Sequence, residues 1–346
     1  HLFPYDRGSR SQTFVEFIDL APTVLSLAGI TPPEGMDGKP VMGKTIKKSQ
    51  IQNKNTAFGH ADRFDEKYDL VRTLRVGKYK YIRNYQPFNM DGLFNFYRYK
   101  MLAYKEWSSL YREGKLNDIQ NQFFQAKSPE ALYNIEDDPH EVNDLSDSEE
   151  YQEILTQMRQ QLYDRIIGMP DLSFYPEPYL VENALDNPTA FGQKNKSEIK
   201  ALIEIADLNL ESFPQVEAKI KNALNDENPW KRYWGLIVCS SFGAEAKGFK
   251  SQIQKLLIED KENLVKIRAA EYLMLNKIPI DMNIITELMK NVNSETEANL
   301  MLNSLSLIKE YQPDVKFNFS KEIFPPEWYD VENDLVNRRM DFLTDY

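Results

Sequence analysis

From Gly59 to Asp69 the chain reads GHADRFDEKYD, which puts an imidazole (His60), a guanidinium (Arg63) and the carboxylates of Asp62, Asp65, Glu66 and Asp69 within eleven residues. A guanidinium offers a planar donor fork that matches an oxyanion such as sulfate or carboxylate, and aspartate or glutamate accepts from sugar hydroxyls. The set suits a ligand with both an anionic group and hydroxyls. A structural reading competes with it: charges in a loop beside a hairpin commonly form a solvated turn or local ion pairs, with Asp62, Glu66 and Asp69 set against Arg72 and Arg75. His140 falls in the turn sequence Asp-Pro-His-Glu, where one imidazole beside acids is a weak metal signal, and His1 stands at the start of the chain.

The elements that would position these groups follow from periodicity and punctuation. Residues 69–76 (DLVRTLRV) and 79–85 (YKYIRNY) are β-rich runs around Gly77-Lys78, which predicts a hairpin with Leu70, Leu74 and Val76 on one face. Thr13 to Ile18 is a short β-prone run. Asp19 is then placed as a helix N-cap, Pro22 falls in the first turn, and Gly29 with Thr31-Pro32-Pro33 stops the helix. Residues 92–126 turn helical and aromatic, through Tyr97, Met101, Tyr104, Leu110 and Tyr111. Leu132 to Ile135 reads as a strand before the Asp138-Pro139 turn, and Gln152 to Ile167 as an amphipathic helix. From Gly168 to about Gln193 four prolines predict a linker. Beyond it the chain is almost purely helical. Asn228-Pro229-Trp230-Lys231-Arg232-Tyr233-Trp234 and Asn263-Leu264-Val265-Lys266-Ile267-Arg268-Ala269 align at an offset of 35 residues, with a fainter copy from Glu297. Two-helix repeats of this period resemble HEAT units, with Trp230 and Trp234 expected to pack between repeats. An irregular FPPEW segment precedes a last helix near Asn333 to Phe342.

The 346 residues suffice for two or three domains with real cores, and the formal net charge of −11 argues against nucleic-acid binding through bulk electrostatics. The single cysteine, Cys239, excludes an internal disulfide framework. No apolar run approaches the length that crosses a bilayer, and HLFPYDRGSR lacks the regions of a signal peptide.

Four stretches, taken in order, resemble the sulfatases of the alkaline phosphatase superfamily, in particular the C-terminal region of the N-sulfoglucosamine sulfohydrolases. They are QTFVEFIDLAPTVLSLAGI (12–30), AFGHADRFDEKYDLVRTLRVGKYKYIRNYQP (57–87), the helical stretch with Trp107 and GKLNDIQNQFF, and ALYNIEDDPHEVNDLS (131–146). The resemblance covers about residues 1–180. It implies an α+β class: residues 1–45 as the tail end of a catalytic domain, 46–183 as a C-terminal subdomain with a small antiparallel sheet, and, from the repeats, 184–346 as a HEAT-like solenoid. It implies hydrolysis of sulfate esters or N-sulfate on glycans, a formylglycine nucleophile, a calcium ion, an extracytoplasmic location, and substrate contacts from His60, Arg63 and Asp65. The nucleophile pattern C/S-x-P-x-R is absent and Cys239 has neither Pro nor Arg at the required offsets. The G-x-H-G segment and the Asp-Asn pair of a calcium site are absent too. The expectation is therefore a C-terminal, by itself inactive portion of a sulfatase, with apolar surface exposed along residues 12–30. The alternatives are a helical-repeat interaction module acting alone and, more weakly, a phosphatase or phosphodiesterase of the same superfamily.

Overall fold

The computed structural model describes residues 8, 10–43, 46–47, 49, 54–329 and 335–345. Its architecture is α+β. One antiparallel sheet runs in the order β1-β2-β3-β4, from β1 (Thr56–Phe64), β2 (Lys67–Val76), β3 (Tyr79–Asn84) and β4 (Glu130–Asn134). The Gly77-Lys78 hairpin forms where punctuation places it. Gly77 has φ +55, a left-handed conformation that costs an L side chain and leaves glycine unstrained. The first strand corrects the sequence reading. Gly59 to Arg63 is the body of β1, not a loop, and Gly59 lies so close to the cross-strand Thr73 that a Cβ there would stand 2.5 Å from its Oγ1.

In chain order the helices are α1 (Leu20–Leu27), α2 (Phe96–Lys100), α3 (Leu102–Arg112), α4 (Asp118–Asn121), α5 (Gln152–Gly168), α6 (Glu177–Asn183), α7 (Pro188–Lys194), α8 (Lys196–Ala206), α9 (Phe213–Leu224), α10 (Pro229–Phe242), α11 (Lys250–Glu259), α12 (Asn263–Leu275), α13 (Met282–Lys290), α14 (Glu295–Tyr311) and α15 (Leu335–Asp345). The expected linker at 168–193 is therefore largely helical. Pro178 and Pro188 sit in the first turns of α6 and α7, where the missing N–H has no intrahelical partner to lose, so these prolines start helices instead of breaking them.

The chain divides into two compact units. The first comprises His1–His60, Arg72–Ile82 and Ala131–Leu162. Leu74, Tyr81, Leu132, Leu155, Met158 and Leu162 are buried in it. After β4 the chain is tied by acids that accept backbone N–H groups. Asp138 takes those of Val142 and Asn143 at 2.8 Å each, and Asp144 takes those of Leu132 at 3.0 Å and Ser146 at 2.9 Å. This is the physical content of the Asp-Pro and Glu-x-Asn-x-Leu pattern. The expected strand at 13–18 is absent: Phe17–Asp19 is a 3-10 turn. Asp19 explains the difference. Its carboxylate accepts from the backbone N–H of Glu16 and of Lys39, each at 2.9 Å, and pairs with Lys54, which closes the segment into a turn. The apolar side of this segment faces outward as expected. Phe17 is 91% exposed, and Val15, Ile18, Leu20 and Val24 are exposed with it, while Thr23 and Ser26 are buried.

The second unit comprises Ala61–Val71, Arg83–Glu130 and Tyr163–Tyr346. Helix α10 packs on α8, α9 and α12; α12 packs on α11, α13 and α14; α14 packs on α15. Helices α12 and α14 are buried almost around their whole circumference, polar residues included. Some of their polar residues pair internally, while Asn299 Oδ1, Ser304 Oγ and Ser306 Oγ of α14 are buried with no hydrogen-bond partner among the described residues. Arg268 binds Glu271 through Nη1 at 2.8 and 2.9 Å and the Tyr233 hydroxyl at 2.9 Å, so two positions 35 residues apart meet directly. Trp230 and Trp234 contact the proline-bearing segment: Trp234 donates to the Phe174 carbonyl at 2.7 Å, and Trp230 lies 5.0 Å from the Tyr179 ring.

Candidate functional site

Strand β1 turns into β2 at Asp65-Glu66. Asp65 has φ 51, a left-handed value that aspartate tolerates better than most residues. Arg63, at the end of β1, holds this turn from inside. Its Nε donates to both carboxylate oxygens of Glu177 at 2.8 and 3.0 Å, Nη2 pairs with the same carboxylate, and Nη1 reaches the carbonyls of Asp65 at 3.2 Å and Glu66 at 3.4 Å. Its donor fork is therefore occupied. Asp62, expected near Arg72 or Arg75, accepts from the Ser173 hydroxyl at 2.7 Å, and Asp69 pairs with Lys127 at 2.6 Å. His60 lies on β1 and is exposed.

Glu66 is fully buried and turns away from solvent. Its carboxylate accepts the Phe96 N–H at the start of α2 and lies 3.4 Å from Nη1 of Arg338, while Asp65 stands 3.8 Å from the same nitrogen. Arg339, with no exposure, donates to the Glu66 carbonyl at 3.0 Å, to the Phe94 carbonyl at 2.9 Å and to Asn303 Oδ1 at 2.7 Å. Burial pulls the Arg339 pKa down to about 10, and the charge persists at neutral pH. Asn303 also takes the Tyr68 N–H at 2.9 Å and donates to the Tyr68 carbonyl at 3.2 Å. The hairpin tip is thus locked by α6, α14 and α15. Those partners lie more than a hundred residues away, so no local pattern points to them.

Beside the tip, Lys67 and Lys127 share Asp69 and Asp91. Lys127 reaches Asp69 at 2.6 Å and Asp91 at 3.3 Å, and Lys67 donates to the Asp91 carbonyl at 3.2 Å. Burial lowers the Lys67 pKa to about 8 against the opposing attraction of Asp69. Burial would likewise raise Asp91, but Lys127 and Lys67 outweigh it and hold the carboxyl below its ordinary value.

A cavity of about 510 Å³ opens elsewhere in the second unit, with Tyr179 and Trp230 on one side and Glu182, Glu198, Glu262 and Glu297 around it. Burial, then the charges of Asp260 and Glu297, raise the Glu262 pKa. Four glutamates repel a sulfate or carboxylate, so this cavity is the wrong place for an anionic ligand. Among the described residues no three His, Cys, Asp or Glu side chains converge to hold a metal ion. Cys239 does not fit a nucleophile position: it is fully buried in α10, and burial pushes its thiol pKa well up.

Residues 3–128 match the family described as N-sulphoglucosamine sulphohydrolase, C-terminal. An ulvan-active sulfatase of Formosa agariphila is 36% identical over 170 residues, which cover 48% of this chain and 28% of that protein. A second ulvan-active sulfatase of the same organism is 23% identical over 168 residues, covering 48% of this chain and 31% of that protein. The chain spans about three tenths of the length of the curated relatives it matches.

Proposed function

We propose that this chain, which carries a sulfatase C-terminal region, serves as the recognition part of a sulfatase that removes sulfate esters or N-sulfate groups from glycans. The observation that supports the reading is the match over residues 3–128, which includes the whole β1–β2–β3 meander and the locked turn at its tip. The formylglycine and calcium that the family implies have no counterpart pattern in this sequence, so the reading assigns these residues recognition and no bond-making step. Asp65 keeps a partly exposed carboxylate that would accept from a sugar hydroxyl, and His60 is exposed for the same use. Arg63 acts through the turn it holds and is a positioning residue. An extracytoplasmic location fits a polymeric substrate, and no helix among the described residues is long and apolar enough to cross a membrane. The α8–α14 array, read as HEAT-like repeats, would be an accessory surface. A protein partner bound by that array is the second reading, favoured by its own acidic cavity.

The test is calorimetric titration of the 346-residue chain with ulvan oligosaccharides before and after desulfation. Binding that needs the sulfate supports recognition. Equal binding of both, or of neither, removes it.

A further inference from the structure

The candidate cations at the hairpin tip divide into two kinds. Arg63, Arg338 and Arg339 are bound to carboxylates or carbonyls of the protein itself. Arg98 and Lys100, both on α2, form no salt bridge among the described residues. Arg98 spends one donor on the Asp91 carbonyl and otherwise lies against rings: 5.9 Å from the Phe64 centroid, 5.7 Å from Tyr104 and 5.2 Å from Phe123. Lys100 stands 4.2 Å from the Phe96 ring and 5.3 Å from that of Tyr97. Tyr97 carries Arg338 at 4.7 Å as well. Phe64 is 54% exposed and Tyr97 42%, with Met101 exposed beside them in sequence. This aromatic surface is flanked by two cations that form no salt bridge among the described residues, on a chain with a formal net charge of −11, although Arg98 also feels the Asp91 carboxylate.

We infer that Phe64, Tyr97, Arg98 and Lys100 form a binding surface for an anionic saccharide, the rings lying against sugar faces and the two cations meeting sulfate or carboxylate groups. This rests on the recognition reading above and names the residues that would carry it. Charge decides the occupant. A guanidinium and an ammonium with no salt bridge among the described residues favour an oxyanion, and exposed aromatic faces add apolar area that a simple counterion does not use. The acidic cavity lined by Glu182, Glu198, Glu262 and Glu297 has the opposite sign, so the two surfaces of this unit would not compete for one ligand.

The test uses the intact chain and three probes: a dextran sulfate oligosaccharide, unsulfated dextran of the same length, and polyglutamate. The dextran sulfate is expected to bind, with the unsulfated chain at least about tenfold weaker, and Lys100→Glu and Tyr97→Ala each to weaken the sulfated probe by about tenfold. Lys100 is exposed, so its variant keeps the test valid if Tyr97→Ala lowers the urea midpoint. Unchanged affinity in both variants overturns this surface while leaving recognition elsewhere on the chain intact. No binding of the sulfated probe by the unaltered chain overturns the surface and the recognition reading together. Polyglutamate binding as tight as dextran sulfate, insensitive to Tyr97→Ala, reduces the surface to a charge patch and overturns the saccharide assignment.

Discussion

If Arg63 is committed to the turn, its ion pair with Glu177 must appear as coupling energy in folding. The side chains of Arg63 and Glu177 are 19% and 26% exposed, so the pair is mostly but not wholly removed from water. Two unit charges about 4 Å apart at an effective dielectric near 20 attract by about 4 kcal/mol. Desolvation and side-chain ordering offset more than half of that, which leaves a coupling of about 1.5–2 kcal/mol for this bidentate geometry. Arg63→Ala also removes two hydrogen bonds to the carbonyls of Asp65 and Glu66, at about 0.5 kcal/mol each given their 3.2 and 3.4 Å lengths, for a total near 3 kcal/mol. Glu177→Gln keeps the shape of the side chain and is expected to cost about 1.5 kcal/mol. Urea unfolding of the two single variants and the double variant completes the cycle. Tryptophan fluorescence is a suitable probe, because Trp234 is bonded to Phe174 and Trp230 packs on Tyr179, on either side of Glu177 in the chain. Coupling below about 0.5 kcal/mol, with Arg63→Ala close to the unaltered chain, would refute the argument and return the Arg63 fork to a ligand.

Other outcomes follow from the same geometry. Lys67 has a folded pKa of about 8 against an ordinary 10.5, so the unfolded state binds more protons between those values and its contribution to stability rises as pH increases through that window. The rise is about 3 kcal/mol at most, and the difference in unfolding free energy between the unaltered chain and Lys67→Met, followed from pH 7 to 10.5, isolates it. A flat difference would be contrary to the burial of this ammonium. Gly92→Ala places a Cβ 2.5 Å from the Phe124 ring and 2.9 Å from the Phe123 carbonyl, and a loss of about 2 kcal/mol in chemical denaturation is expected because one of those neighbours is backbone. Asn303→Leu removes the bonds to Tyr68 and Arg339 at once, and should lower stability by about 3 kcal/mol while leaving far-ultraviolet circular dichroism unchanged.

The sheet was legible wherever a local rule acts alone. Gly77 needs a left-handed backbone, Leu70 and Leu74 alternate to one buried face, and the Asp138 and Asp144 turns use side chains a few residues from their partners. The helices α10, α12 and α14 were legible for the same reason, each opening at the repeated pattern. Prolines misled between residues 168 and 193 because proline at a first turn and proline in a linker look alike without the capping geometry. The β-prone run at 13–18 misled because Asp19 finds Lys39 and Lys54, contacts that no propensity contains. At the candidate site the residue types were visible but their partners were not. Glu177, Asn303, Arg338 and Arg339 come from distant helices, and it is Glu177 that occupies the Arg63 fork. Arg98 and Lys100, which form no salt bridge among the described residues, were hidden for the complementary reason, since in sequence they sit within an aromatic helix that reads as packing.

The central claim is that this chain recognises sulfated glycan, and the most direct measurement is the dissociation constant of the 346-residue chain for an ulvan oligosaccharide before and after its sulfates are removed, at fixed ionic strength. The account predicts measurable binding of the sulfated form and a loss of at least about tenfold on desulfation. Indistinguishable affinities for the two forms would contradict it.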